Sequence, residues 1–214
     1  MTEPRRLPRW LWPTGLAGAL VGGGLLASAL VAETGPSYKN FRIPSASMEP
    51  TLRTGEQFIA RTSDFVPIVR GGVYLVRKRG VVHAYRVIGL PGDEVEITGS
   101  GVFLNNKAAS YTEKDIAGLT GTCHRPSAHV RRETLPSGES HAILVCDGGF
   151  GQNMPATKIP ADHYFLLGDN RANAADSRFT GDFGVGLVPA ADFIGKAERV
   201  FVSRDNARIG KEID

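Results

Sequence analysis

Cysteine is nearly absent: the 214 residues hold two, Cys123 and Cys146. A disulfide-dense scaffold is thereby excluded, and at most one internal bridge can form. Long basic runs are missing too. Lys and Arg number 25 against 22 Asp and Glu, the formal net charge is +3, and the densest basic stretch is Arg77-Lys78-Arg79. A nucleic-acid interface needs a longer basic stripe with aromatics beside it, so no nucleic-acid partner is expected. Internal repeats and low-complexity tracts are lacking. Helical periodicity is weak past the first 35 residues, with "PAADF" the best short turn. Cys123, His124, His129 and Cys146 match no strong zinc spacing. The favoured reading of the cysteines is a disulfide, then two free thiols, then a metal site. No metal or cofactor is expected.

What is present begins with one long apolar run. No residue from 11 to 32 is charged, and a membrane-spanning helix needs about 20 apolar residues. Arg5, Arg6 and Arg9 precede the run and Glu33 follows it. Positive residues stay cytoplasmic, so the N-terminus is expected inside and the rest of the chain outside. Trp10 and Trp12 suit the inner interface. A cleavable signal peptide starts in the same way, and Ala27-Ser28-Ala29 resembles a cleavage site. Its apolar core spans only about 7–15 residues, so an uncleaved anchor is favoured. The expected division is residues 1–35 as cytoplasmic N-terminus and anchor, and 36–214 as an exported domain. Export also favours pairing Cys123 with Cys146.

After a linker at 34–40 the chain reads as β. Strands are expected at "GVYLV" (72–76), "VVHAYRVIGL" (81–90), "SHAILVC" and "HYFLLGD", with "FIGKAERVFVS" closing the fold. "RKRG" reads as a turn, "PGDE" as a type II turn with Pro and Gly at its centre, and "EVEITGSGVFLNN" as a hairpin. "NRANAADSRFTGDFGVG" is a long polar, Gly-rich loop, and loops of that length in compact domains usually carry function.

"PSASMEPTL" (44–52) places Ser45 and Ser47 two residues apart between prolines. A serine hydroxyl is a poor nucleophile without an adjacent base. Four stretches follow in order: "PSASMEPTL", "RGGVYLV", "YRVIGLPGDEV" and "GDNRANAADSRFTGDFGVG". In kind and order they resemble the motifs of bacterial signal peptidase I. The resemblance implies mainly antiparallel β-sheets of the signal peptidase type after one N-terminal transmembrane helix. It also implies a side subdomain near residues 94–163.

The resemblance further implies roles. Ser47 matches the nucleophile. Ser45 matches the residue whose hydroxyl, with the Ser47 backbone N–H, forms the oxyanion hole. Asp176 and Arg178 match a supporting pair, although an ordinary loop salt bridge reads the same way. The "DNRAN" stretch also resembles a calcium loop, but Arg171 stands where the third ligand should be, which excludes it. The family's lysine base falls on Tyr85, and the hydroxyl residue that orients that lysine falls on Ala174.

A neutral phenol, with an ordinary pKa of about 10, is a very weak base. Lys78 is expected in the turn, about 23 Å from Tyr85 along an extended strand, and fails on that geometry. His83 shares a strand face with Tyr85, about 6.6 Å away. Its imidazole is largely neutral at pH 7 and can accept a proton. The plainer reading of His83 is a half-buried strand histidine.

By resemblance the expected function is a membrane-bound serine endopeptidase in the bacterial plasma membrane. It would remove N-terminal signal peptides from exported preproteins with small residues before the cleavage site, in contact with membrane lipids. Two alternatives stand beside this: a catalytically weak or dead paralogue acting as a binding or assembly factor, and a dedicated processing peptidase of a secretion, pilus or conjugation system.

Overall fold

The computed structural model describes residues 35–62, 66–114, 128–146 and 149–214. The expected anchor at 11–32 and Cys123 lie outside the described residues. Among the described residues no helix is long and apolar enough to cross a membrane.

The described chain is a succession of antiparallel strands: β1 (Tyr38–Arg42), β2 (Gln57–Arg61), β3 (Val73–Lys78), β4 (Val81–Gly89), β5 (Glu94–Thr98), β6 (Gly101–Leu104), β7 (Lys107–Ala108), β8 (Ser110–Glu113), β9 (Ala128–Thr134), β10 (Ser140–Cys146), β11 (Met154–Lys158), β12 (His163–Leu167), β13 (Val188–Pro189) and β14 (Phe193–Val202). They form a seven-stranded sheet in the order β1-β2-β14-β3-β4-β12-β13, a three-stranded sheet β10-β9-β8 and a four-stranded sheet β11-β5-β6-β7. The "PAADF" signal yields a single 3-10 turn, Ala190–Asp192. Mainly antiparallel β is therefore the observed fold class.

Local sequence explains the turns. Lys78 pairs with Val81, so Arg79 and Gly80 alone make the hairpin loop. Both have positive φ, 51° and 80°, as a type I′ turn requires. In "PGDE" the Asp93 N–H donates to the Leu90 carbonyl at 3.0 Å. Gly92 there takes φ 88°, the position of a type II turn that suits glycine.

Two expectations need correction. Residues 38–40 belong to β1 rather than to a linker; this edge strand is mostly exposed and so carries no apolar alternation to reveal it. Lys78 ends β3 instead of lying in the turn, because the loop needs only two residues.

The core falls into three clusters. One, around Ile88, Val95, Leu104, Ile143 and Phe165, joins the smaller sheets to β4 and β12. A second, around Ile43, Met48, Leu52, Phe58 and Ala197, lies beneath the serine segment. The third holds Tyr74, Val76, Tyr85, Val87 and Leu166. Along β3, Val73 and Leu75 belong to the second cluster and Tyr74 and Val76 to the third, the alternation that strand geometry demands.

Candidate active site

The serine segment is a turn held by its neighbours. Ile43 and Met48 are buried on either side of it. Burying such side chains stabilises by about 1.5–3 kcal/mol each, so both flanks are pinned while the serines between them stay accessible. Backbone bonds from Glu49 N–H to the Ala46 carbonyl (3.1 Å) and from Leu52 N–H to the Met48 carbonyl (2.9 Å) close the turn. The Ser45 and Ser47 hydroxyls lie 3.1 Å apart, within hydrogen-bond range.

The loop after β12 fixes this turn from the other side. Asn170 donates its backbone N–H to the Ser47 carbonyl at 3.0 Å and its Nδ2 to the Ala46 carbonyl at 3.1 Å. Gly168 permits the approach: a Cβ there would meet the Ser47 carbonyl oxygen at 2.6 Å and the Ala174 methyl at 2.3 Å, closer than real contacts allow.

The residues beside Asn170 tie the loop to separate elements. Asp169 receives Arg86 Nε (2.8 Å) and Nη2 (2.7 Å) from β4, and the Thr51 hydroxyl at 2.5 Å. Arg171 makes a two-pronged pair with Glu133 on β9, both contacts 2.6 Å. Glu133 also accepts from the Tyr111 hydroxyl at 3.0 Å and faces His141 Nε2 at 2.9 Å. Arg86 and Arg171 hold the Asp169 and Glu133 carboxyls below the usual range, against the upward push of burial. Asp169, Asn170, Arg171, Arg86 and Glu133 are the positioning residues that the sequence reading missed. For Asp169, Asn170 and Arg171 the only signal was a run of polar side chains after an apolar strand, which identifies no partner; Arg86 and Glu133 lie within strands.

Asp176 and Arg178 form a buried pair, Nε to Oδ1 at 2.8 Å and Nη2 to Oδ2 at 2.8 Å. Asp176 also accepts the Gly168 N–H at 3.0 Å, and Arg178 Nη1 donates to the Phe150 carbonyl at 2.5 Å. The pair thus braces the base of the loop that clamps Ser47.

An open cleft of about 630 Å³ brings together Ser45, Ser47, Lys78, His83, Tyr85 and Ala174. Lys78, which strand distance seemed to exclude, lines it. The hairpin folds the chain back, so Lys78 stands opposite Val81 on the face that carries His83 and Tyr85. The hairpin tip borders the mouth, where Arg79 meets Asp182 at 2.6 Å and the Gly181 carbonyl at 3.0 Å.

Tyr85 is buried, and its hydroxyl donates to the Ala175 carbonyl at 2.7 Å. Burial, and then the Asp176 carboxylate, push its pKa well above the ordinary phenol value. The group is a fixed donor and stays protonated. His83 stacks on Tyr85 with ring centroids 5.9 Å apart and planes at 17°. Partial burial lowers its pKa, which favours neutral imidazole, the form able to accept a proton. Ala174 presents only a methyl to the cleft. Cys146 is disulfide-bonded, and its expected partner Cys123 is among the undescribed residues.

Comparison with known proteins sharpens the assignment. The signal peptidase I of Pseudomonas fluorescens is 34% identical over 188 residues, covering 76% of this chain and 64% of its own length. The signal peptidase I P of Bacillus subtilis subsp. natto is 30% identical over 181 residues, covering 81% of this chain and 82% of its own. A crystal structure of a signal peptidase I from Enterococcus faecalis aligns with a TM-score of 0.39 at 22% identity, covering 61% of this chain and 97% of that one. The chain thus spans 64% of the length of the Pseudomonas fluorescens relative. The family model described as signal peptidase, peptidase S26, matches residues 18–202, a span that takes in the serine turn, β4 and the whole clamping loop; the chain belongs to that family.

Proposed function

We propose that this chain is a membrane-anchored serine endopeptidase that removes signal peptides from exported preproteins, with Ser47 as nucleophile. One observation carries the reading: Ser47 lies in an open cleft beside Ser45, on a backbone clamped by Asn170. An extended substrate segment adds to the cleft as a strand, and shallow pockets admit small side chains. Ser47 Oγ attacks the scissile carbonyl and its proton passes to a base. The Ser45 hydroxyl and the Ser47 N–H hold the oxyanion. Collapse expels the amine with that proton, and water then hydrolyses the acyl-enzyme.

His83 is the base in this reading, since it is neutral near pH 7 and lines the cleft. Tyr85 is a positioning residue that keeps His83 stacked and the Ala175 backbone in place. The peptidase domain lies outside the plasma membrane, held by residues 11–32 with the N-terminus inside. A second reading rests on Tyr85 being a protonated donor and Ala174 a methyl: the cleft binds exported segments but hardly cuts them, as in an assembly factor. A dedicated peptidase of a secretion, pilus or conjugation system would share the first chemistry with a narrower substrate set.

Cleavage of a model preprotein by the full chain separates these readings. The peptidase reading expects cutting after a small residue that vanishes in Ser47→Ala without loss of thermal stability. Cutting that survives Ser47→Ala overturns it, and binding without cutting supports the assembly factor. Activity kept in His83→Ala but lost in Lys78→Ala reassigns the base to Lys78.

A further inference from the structure

The two sides of β4 are covered unevenly. β3 pairs with it from Val81 to Arg86. On the other side β12 pairs only with Arg86, Val87 and Gly89. Among the described residues no strand covers that side of residues 81–85, which therefore present an open edge. Such an edge takes up an extended segment as an added strand.

Ser47 lies at the Tyr85 end of this edge. A Cβ on Gly168 would touch both the Ser47 carbonyl oxygen and the Ala174 methyl, and the Tyr85 hydroxyl reaches the neighbouring Ala175 carbonyl at 2.7 Å. A groove of about 270 Å³ runs from Ser47 back along the edge to Val81, lined by the apolar Ile43, Phe58, Leu75 and Ala84. Small apolar side chains suit that lining, so the groove takes the residues before the cut. The substrate strand then runs from the Val81 end towards Tyr85.

Strand geometry fixes what each substrate residue meets. Side chains alternate between faces, and paired residues on neighbouring strands share a face. Let −1 be the residue just before the cut. Placing −1 level with Ala84, against the apolar lining, brings −2 level with His83, −3 with Val82 and −4 with Val81. Position −4 thus faces away from the apolar lining, on the side of His83 and Tyr85.

Lys78 is the partner of Val81 across the β3–β4 hairpin and shares its face. Its Cα lies two strand spacings, about 9.6 Å, from that of a residue at −4, a gap that the four-carbon lysine stem and a glutamate together bridge. Lys78 is half-buried, lines the serine cleft, and has no hydrogen-bond or ion-pair partner among the described residues. Its neighbour Arg79 is already matched by Asp182 at 2.6 Å. Arg42 borders the groove from the end of β1 and adds positive charge, so no carboxylate competes for Lys78 there.

We propose that Lys78 is a specificity-determining residue that selects an acidic side chain, glutamate above all, four positions before the cut. The inference rests on the reading of Ser47 as the nucleophile of an endopeptidase.

The test uses the full chain in nonionic detergent at low ionic strength, with three model preproteins that differ only in Glu, Gln or Lys at −4. The expected order of kcat/KM is Glu, then Gln, then Lys. The two ends should differ about three- to tenfold, the scale of one accessible ion pair exchanged for repulsion, and the spread should narrow with added salt. Lys78→Glu should reverse the order. Arg77→Glu makes the same charge change on the opposite face of β3 and should leave the order as it was. No order in the intact chain, an order kept in Lys78→Glu, or a reversal in Arg77→Glu as well overturns the proposal. Loss of all cutting in Lys78→Gln also overturns it, since Lys78 then serves the chemistry and not the choice of substrate.

Binding separates this inference from the reading beneath it. In Ser47→Ala the three preproteins should bind with Kd rising from Glu through Gln to Lys, and the order should reverse in Ser47→Ala/Lys78→Glu. If the intact chain cuts none of them, the peptidase reading fails, and the Kd order still decides the role of Lys78: equal Kd values overturn it.

Discussion

The two walls of the serine cleft are built on different principles. The Ser47 wall is over-determined: Asn170 holds two carbonyls of the turn, Gly168 lets the backbones touch, and three buried ion pairs anchor the loop behind it. The opposite wall, formed by the β3–β4 hairpin, is held by strand pairing, apolar packing and one hydroxyl, Tyr85 to Ala175. Its polar groups, His83 and Lys78, approach the cleft from a hairpin whose tip salt bridge, Arg79 to Asp182, is largely exposed and worth little. Ser47 is thus fixed by directional bonds, whereas His83 and Lys78 rest on softer contacts.

Breaking the rigid wall should have the largest effect. Asp176→Asn leaves the buried Arg178 charge uncompensated, and breaking such a pair costs about 3–5 kcal/mol. Denaturant unfolding should show a midpoint lowered accordingly, together with loss of cleavage. An unchanged midpoint would mean that the loop is held by its other bonds alone.

Ser45→Ala comes next. It should lower kcat by about 10²–10³, as expected for one oxyanion donor, with KM and stability nearly constant. A change confined to KM would place Ser45 in substrate binding only.

The softer wall can be rebuilt instead of broken. Tyr85→Lys with Ala174→Ser should cleave faster than Tyr85→Lys alone. A lysine must be neutral to act, and its ordinary pKa is about 10.4, so burial must lower it. The added hydroxyl then orients the amine towards Ser47. Equal rates in the two variants would dismiss any orienting role for position 174.

The smallest effect is a titration. If His83 is the base, kcat/KM should fall as pH drops through a value below 6.5 and stay level above it. The sign follows from burial, which lowers the His83 pKa and keeps the ring neutral above that point. A profile without this fall would rule out His83 as the base.

Much of this was legible in the chain itself. Apolar runs and Gly or Pro punctuation located β3, β4, β10, β12 and β14, because a strand buried on both faces carries apolar residues at successive positions. The β3–β4 hairpin turn and the type II turn after β4 followed from Gly80 and from Pro91-Gly92. The serine pair was visible as a motif. Edge strand β1 was not legible, since an exposed strand needs no apolar period. The ties of Asp169, Asn170 and Arg171 were invisible for another reason: a polar side chain announces that it needs a partner but not which one.

The sequence by itself determined the β class and the four ordered stretches, with Tyr85 and Ala174 among their residues. These are local properties, set by residue type and spacing. Tertiary structure alone decided that Lys78 reaches the cleft, that the Tyr85 hydroxyl is committed to Ala175, and that β12 pairs with β4 only from Arg86 onward. Each depends on how distant segments are brought together. The physical reason is the same throughout: patterning is governed by each residue's own exposure to water, whereas charge pairing and proton affinity depend on neighbours many residues away.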